Sequence, residues 1–244
     1  MEPVTPRRLL AGETATRVLS VAVLDGEAGR PLAEITTEDP RPHSERLLPA
    51  LDRVLALAGT PLEAVDAFAV SIGPGSFTGL RIGLATLKAF AFGSPRPVAA
   101  VPTLAALATR AAGAEGPVAA TLDARRGEVY AACWKTAAAE GEPVVPESVW
   151  RPEALAARLP RPCTLLAGED ADEAARRVAE AAGSGVRVLA GEAARPRAAC
   201  VGLLGLRILA AGEAVPAEAL APRYLRRAEA EARRTGRPLE EPPA

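Results

Sequence analysis

Ser71-Ile-Gly-Pro-Gly-Ser-Phe-Thr-Gly-Leu-Arg-Ile-Gly-Leu-Ala-Thr86 overlaps the end of an apolar run over residues 65–72 and leads into a helical pattern closed by Gly93. Strand, glycine-rich turn and helix in that order form one crossover of a sheet that carries helices on its faces. The turn from Gly73 to Gly79 leaves backbone N–H groups at a helix N-terminus, where they can meet an anion. It fails three enzyme patterns. Gly79 precedes Leu80-Arg81 where a P-loop needs Lys and Ser or Thr, and Gly73, Gly75 and Gly79 give GxGxxxG where a dinucleotide site needs GxGxxG. Pro74 and Thr78 stand where a nucleophile elbow around Ser76 needs glycines. Two readings stay open: a phosphate contact through Gly73, Gly75 and Ser76, or a tight bend that brings helix close to sheet.

Upstream, residues 8–11, 18–24 and 31–37 read as three antiparallel strands, the first two separated by the polar turn Gly12-Glu13-Thr14-Ala15-Thr16. Ser44 caps a helix to residue 58 with Leu47, Leu48, Leu51, Val54 and Leu55 as its apolar positions, and Pro49 fits only near its first turn. Downstream of the quoted stretch come a helix over 80–92, a strand over 98–101 and a helix over 103–112. A related order then begins again. Strands over 118–122, 128–134 and 144–149 precede helices over 152–158, 170–182 and 197–211, with short strands at 164–166 and 186–189. The pattern predicts an α/β protein of two related lobes with mixed sheets: residues 1–112, then 113–225 with the 197–211 helix free to pack back on the first lobe. A charged, Pro-rich tail over 226–244 has little to bury.

The 244 residues are 49% apolar and 24% charged, enough for a substantial core. Net charge is −1, which excludes a uniformly basic nucleic-acid coat. Lys88 and Lys135 are the only lysines, so the arginine and alanine excess reads as the bias of a GC-rich genome, and single arginines carry little weight. Cys133, Cys163 and Cys200 fit neither a disulfide framework nor a zinc cluster and read as small apolar residues. With His43 as the only histidine, multi-histidine metal motifs are excluded, and no metal site is expected. No apolar run is long enough to span a membrane, and Arg7-Arg8 is not followed by a signal-peptide core, so a cytoplasmic location is expected.

The candidate carboxylates are Glu13, Asp25, Asp123 and Glu128. Glu13 and Asp123 each follow the first strand of a hairpin; in related lobes they would face each other across a cleft suited to Mg-nucleotide. Turn residues of this type are more often structural. Gly79 and Gly83, with Thr86 near the same side, let another helix approach closely. That face and the leucine stripe of the 44–58 helix are either core faces or a partner interface.

The quoted stretch resembles the signature of the bacterial TsaB (YeaZ) family, the partner of TsaD in tRNA threonylcarbamoyladenosine synthesis. His43-Ser-Glu-Arg-Leu-Leu-Pro49, Asp123-Ala-Arg-Arg-Gly-Glu-Val-Tyr130 and Pro222-Arg-Tyr-Leu-Arg226 occur in the family's order, so the resemblance spans residues 9–226. It implies an ASKHA (actin/Hsp70/sugar-kinase-like) fold of two ribonuclease-H-like lobes and a noncatalytic scaffold that activates a TsaD-like transferase. It further implies a heterodimer through the two helices, with His43, Leu47, Leu48, Leu51, Gly79, Arg81, Ile82, Gly83 and Thr86 at the interface. A TsaE-like ATPase joins the complex, the isolated chain forms a homodimer, and tRNA is met mainly through partners. No cofactor of its own is implied; an Mg-nucleotide at a complex interface would use the loops holding Glu13, Thr14, Gly73, Gly75, Ser76 and Asp123. The family's first strand usually ends in an apolar residue, Asp and Thr, whereas this chain has Gly12-Glu13-Thr14. The alternative function is a nucleotide-dependent phosphotransferase or ATPase of the same fold. A peptidase reading finds neither a metal cluster nor a nucleophile motif.

Overall fold

Leu9, Leu10, Ala11 and every residue from Val21 to Leu24 are fully buried, so β1 (Arg8–Glu13) and β2 (Leu19–Asp25) are covered on both faces. A run apolar at successive positions is what a strand between two helical layers requires. The computed structural model describes residues 1–92 and 94–226. The tail over 227–244 and the helix stop at Gly93 lie outside the described residues.

β3 (Arg30–Thr37) completes an antiparallel meander, followed by α1 (His43–Leu57), β4 (Ala67–Gly73), α2 (Phe77–Ala91), β5 (Val98–Pro102) and α3 (Thr103–Ala108). The first sheet has the order β3-β2-β1-β4-β5, with β4 parallel to both β1 and β5. The second half follows the same path through β6 (Val118–Asp123), β7 (Val129–Trp134), β8 (Val145–Trp150), α4 (Pro152–Arg158), β9 (Cys163–Ala167), α5 (Asp172–Ala182), β10 (Val186–Leu189) and α6 (Ala198–Ala210). Its sheet runs β8-β7-β6-β9-β10, strand for strand the order of the first. The duplication read from the sequence is therefore present, and the architecture is of the ASKHA type.

Five layers result. Leu47, Leu51 and Val54 of α1 and Leu80, Leu84 and Leu87 of α2 cover the outer face of the first sheet, on Leu10, Val21 and Phe68. Leu104 and Leu107 of α3 and Val201 and Leu204 of α6 fill the space between the sheets, against Leu9, Leu24 and Ala69 on one side and Ala120, Leu122 and Leu166 on the other. Leu155 of α4 and Val178 of α5 close the outer face of the second sheet. The helix expected over 197–211 does return to the first lobe, where α6 lies across β1, β2, β4 and β5. Gly205 makes this possible: a Cβ there would stand 2.6 Å from that of Ala69 and 3.3 Å from that of Ala99.

Several boundaries differ from the sequence reading. β1 runs through Glu13, so this residue ends a strand and is not part of an open turn. α1 begins at His43 after Pro42, with no side-chain cap from Ser44, and continues through Pro49. α2 starts at Phe77, because the Ser76 hydroxyl accepts from the Gly79 N–H at 3.2 Å and caps it three residues before Leu80. Arg226, expected to open a frayed tail, instead pairs with Glu128. The strap leading to it bonds Arg223 N–H to the Ile72 carbonyl at 2.7 Å and pairs Arg223 with the buried Glu147 of β8, also at 2.7 Å. Among the described residues no helix is long and apolar enough to cross a membrane, and the three cysteines are unbridged.

Candidate functional site

The β1–β2, β4–α2, β6–β7 and β9–α5 loops, the approach to α1 and residues 223–226 surround a cleft of about 590 Å³ between the lobes. Thr16, Arg17, His43, Arg46, Ser76 and Asp123 are among the residues lining it. Glu13 is not. It is 1% exposed, and its Oε1 accepts from the Ala15 N–H at 2.6 Å. Burial pushes its pKa from the usual 4.5 up to about 7, against the hydrogen bond from Ala15, which pulls it down.

The pH dependence follows from that shift. Between about 4.5 and 7 the folded chain holds a proton that the unfolded chain releases, so stability falls as pH rises through this window and is flat above it. Glu13→Gln keeps the acceptor for Ala15 and removes the titration. Urea unfolding at about pH 5 and about pH 8 should show the wild-type loss, up to roughly 3 kcal/mol, vanish in the variant. An unchanged pH slope in Glu13→Gln would show that another group carries it.

The glycine-rich turn is largely engaged by its own chain. Gly73 N–H donates to Thr103 Oγ1 at 3.1 Å and Ser76 N–H to the Ala15 carbonyl at 2.6 Å. A Cβ at Gly75 would stand 2.3 Å from the Ala15 carbonyl oxygen, at Gly79 2.1 Å from that of Thr14, and at Gly83 2.1 Å from Thr14 Oγ1. The glycines are thus explained by the β1–β2 turn pressing on α2. The phosphate reading of Gly73 and Ser76, and the partner reading of Gly79 and Gly83, are corrected accordingly: those groups already face Thr103, Ala15 and Thr14.

Asp123 ends β6 as Glu13 ends β1, but it borders the cleft, where Oδ1 accepts from Arg125 N–H at 2.9 Å. Arg125 and Arg126 follow at φ 66° and 58°, forming the hairpin tip with Gly127. Glu128 pairs with Arg226, and Asp25 is the last residue of β2, opposite Arg8 at the start of β1, where it accepts from the Glu27 and Ala28 N–H groups of the following turn. The two lobe-related carboxylates therefore do not converge. A magnesium ion held between Glu13 and Asp123 does not fit, since one carboxylate is sealed in the core and inclined to keep its proton. Among the described residues no three His, Cys, Asp or Glu side chains are grouped as a metal site.

His43 has both ring nitrogens engaged: Nε2 donates to the Thr16 carbonyl at 2.8 Å and Nδ1 accepts from Arg46 at 2.7 Å. Burial lowers its pKa, which keeps the ring neutral. On the outer helices, which pack side by side, Leu47 and Leu51 point into the core, whereas Leu48 is 51% exposed. Arg81 is exposed, and Ile82 and Thr86 are half-buried. Sequence reasoning missed Leu57 and Phe92, both well exposed, and Tyr224, which stacks on Phe77 at 4.8 Å and accepts from Arg81 Nε at 3.2 Å. It also missed Arg46, buried beneath the cleft, for which the only signal is its place three residues after His43.

The family model described as "TsaD: tRNA N6-adenosine threonylcarbamoyltransferase" matches residues 32–233. The Bacillus subtilis tRNA threonylcarbamoyladenosine biosynthesis protein TsaB is 32% identical over 232 residues, 92% of this chain and 96% of that one. The Escherichia coli protein of the same name is 40% identical over 125 residues, half of this chain; there and in the Haemophilus influenzae protein the match spans about half of the relative's length. A solved structure, YeaZ from Pseudomonas aeruginosa, superposes with a TM-score of 0.74 at 36% identity, over 89% of this chain and 99% of that one.

Proposed function

The chain belongs to the TsaB/YeaZ family, and from that premise we propose that it acts in tRNA threonylcarbamoyladenosine formation as a noncatalytic scaffold and activator of a TsaD-like transferase. The observation that carries this reading is the exposed apolar side chains on the two outer helices: Leu48 and Leu57 of α1 and Phe92, which directly follows α2, are 51%, 63% and 66% exposed. Apolar side chains of this size on two adjoining helices suit a partner surface. The noncatalytic role is supported by His43, the chain's single histidine, whose two nitrogens are both hydrogen-bonded inside the chain.

In this reading the heterodimer forms through Leu48, Arg81, Ile82 and Thr86, with His43 at its edge, while Leu47, Leu51, Gly79 and Gly83 shape the helices from within. A TsaE-like ATPase joins the pair in the cytoplasm, the isolated chain covers the same face by forming a homodimer, and tRNA is met mainly through partners, in keeping with a net charge of −1. The phosphotransferase alternative would need Mg-nucleotide on Glu13 and Asp123. The buried position of Glu13 removes its basis.

Reconstitution tests the proposal. TsaD, TsaE, threonylcarbamoyl-AMP and unmodified tRNA are combined with and without this chain. Modified adenosine is expected only when the chain is present, and none from the chain alone. Product formation that is indifferent to the chain would overturn the scaffold role.

A further inference from the structure

The segments Asp123–Tyr130 and Pro222–Arg226 have no part in the partner surface, and the fold joins them to each other. Residues 222–226 run as an irregular strap from one lobe to the other. On the first lobe, Arg223 N–H donates to the Ile72 carbonyl at 2.7 Å, and Tyr224 stacks on Phe77 at 4.8 Å while its hydroxyl accepts from Arg81 Nε at 3.2 Å. The seat is cut for the strap: a Cβ at Gly73 would stand 2.4 Å from the Arg223 carbonyl oxygen. On the second lobe, Arg223 pairs at 2.7 Å with Glu147, whose side chain is 5% exposed. Arg226 donates to the Ala124 carbonyl and pairs with Glu128, at the two ends of the β6–β7 hairpin tip.

These ties differ in kind from those that hold the lobes. Leu220, just before the strap, belongs to the apolar cluster under α1 and α2, whereas none of residues 221–226 belongs to any of the three apolar clusters. The strap is held by ion pairs, hydrogen bonds and one aromatic stack, which water and solvated side chains replace at modest cost. It can therefore lift from Leu220 onward without uncovering the core, as a local opening well below global unfolding. Arg223, Tyr224, Leu225 and Arg226 line the cleft, so lifting them removes one of its walls. Ala124 borders the same cleft and is only 2% exposed, with Arg226 on its carbonyl.

We propose that residues 222–226 are a releasable strap that gates the interlobe cleft, opening while both lobes stay folded. Glu147 and Glu128 are its catches on the second lobe, and Ile72, Phe77 and Arg81 its seat on the first.

Native-state hydrogen exchange on the full chain tests the release. The Arg223 amide should exchange through an opening insensitive to low urea, and faster than the amide of Phe68 in β4, which is fully buried and donates to the Pro97 carbonyl at 3.0 Å. Arg226→Gln and Glu147→Gln should each speed exchange at Arg223 about tenfold or more through loss of a charge-assisted contact, with a far smaller change at Phe68. Arg223 exchanging with the urea dependence of Phe68 in the wild type, or unaffected by both substitutions, overturns the strap. Access to the cleft is read by alkylating the thiol introduced by Ala124→Cys with iodoacetamide. Labelling should be slow with the strap intact and about tenfold faster when Arg226→Gln is added. Equal labelling rates overturn the gating role. No transferase is present in either assay, so the result stands apart from the scaffold reading.

Discussion

Leu48→Asp combined with Ala85→Asp abolishes transferase activation while leaving the fold of the single protomer intact. Leu48 is 51% exposed and Ala85 is exposed, so neither substitution disturbs the core, and the expected change in folding stability is within about 0.5 kcal/mol. At a heterodimer interface the same two carboxylates would be desolvated without partners, at several kcal/mol together, enough to weaken association by two or more orders of magnitude. Gel filtration of the mixed proteins should show separate peaks, and modified adenosine should fall to the level seen without the chain. Retained activation with an unchanged elution profile would place the interface elsewhere. The variants Gly83→Glu and Leu51→Asp, natural choices from the sequence pattern, are unsuited to this test. Both residues face the chain's own interior, so loss of activity there would report misfolding.

Gly83→Val lowers unfolding stability by about 3 kcal/mol or more, roughly 10 °C in melting temperature. Already the first added carbon would stand 2.1 Å from Thr14 Oγ1 and 3.2 Å from its Cβ and Cγ2. Thr14 is 1% exposed, so it cannot simply swing into solvent. Its backbone is pinned too, since its carbonyl lies over Gly79. Even Gly83→Ala should destabilise, although alanine favours helix over glycine by about 1 kcal/mol. The diagnostic partner is Thr14→Ala. Thr14 Oγ1 makes no hydrogen bond, so its removal loses little, and the double variant Thr14→Ala/Gly83→Ala should recover most of the lost stability. Strict additivity in that cycle would mean that the clash is not the cause.

These two experiments separate what the sequence makes legible from what it conceals. The repeated strand–helix order was readable because each half has its own hairpins and turn residues, and both sheets follow it. Gly79 and Gly83 announce that something approaches α2 closely, but spacing alone cannot tell another helix from the β1–β2 turn 65 or more residues upstream. Glu13 reads as a turn acid only while β1 is taken to end at Ala11. Extending the strand by two residues reverses its meaning, from solvent-facing ligand to buried acid. Arg46 was hidden for a compositional reason: in a chain with only two lysines, one arginine among many attracts no notice. Its burial beneath the cleft is a property of the folded surroundings. The strap through Arg223, Tyr224 and Arg226 likewise depends on β4, α2 and β8 being assembled before its residues acquire partners.

The position of α6 has a consequence for the order in which the molecule can be made. The inner face of the first sheet, with Leu24, Ala69 and Ala99, is roofed by a helix whose first residue is Ala198. On the ribosome, the N-terminal strands emerge long before that roof does. Until α6 arrives, the nascent first lobe presents an uncovered apolar sheet, and its native packing must wait for nearly the whole chain. Two halves that look like separate modules in topology are thus born as one folding event, and a stop codon after residue 112 would yield an unfinished surface in place of a smaller protein.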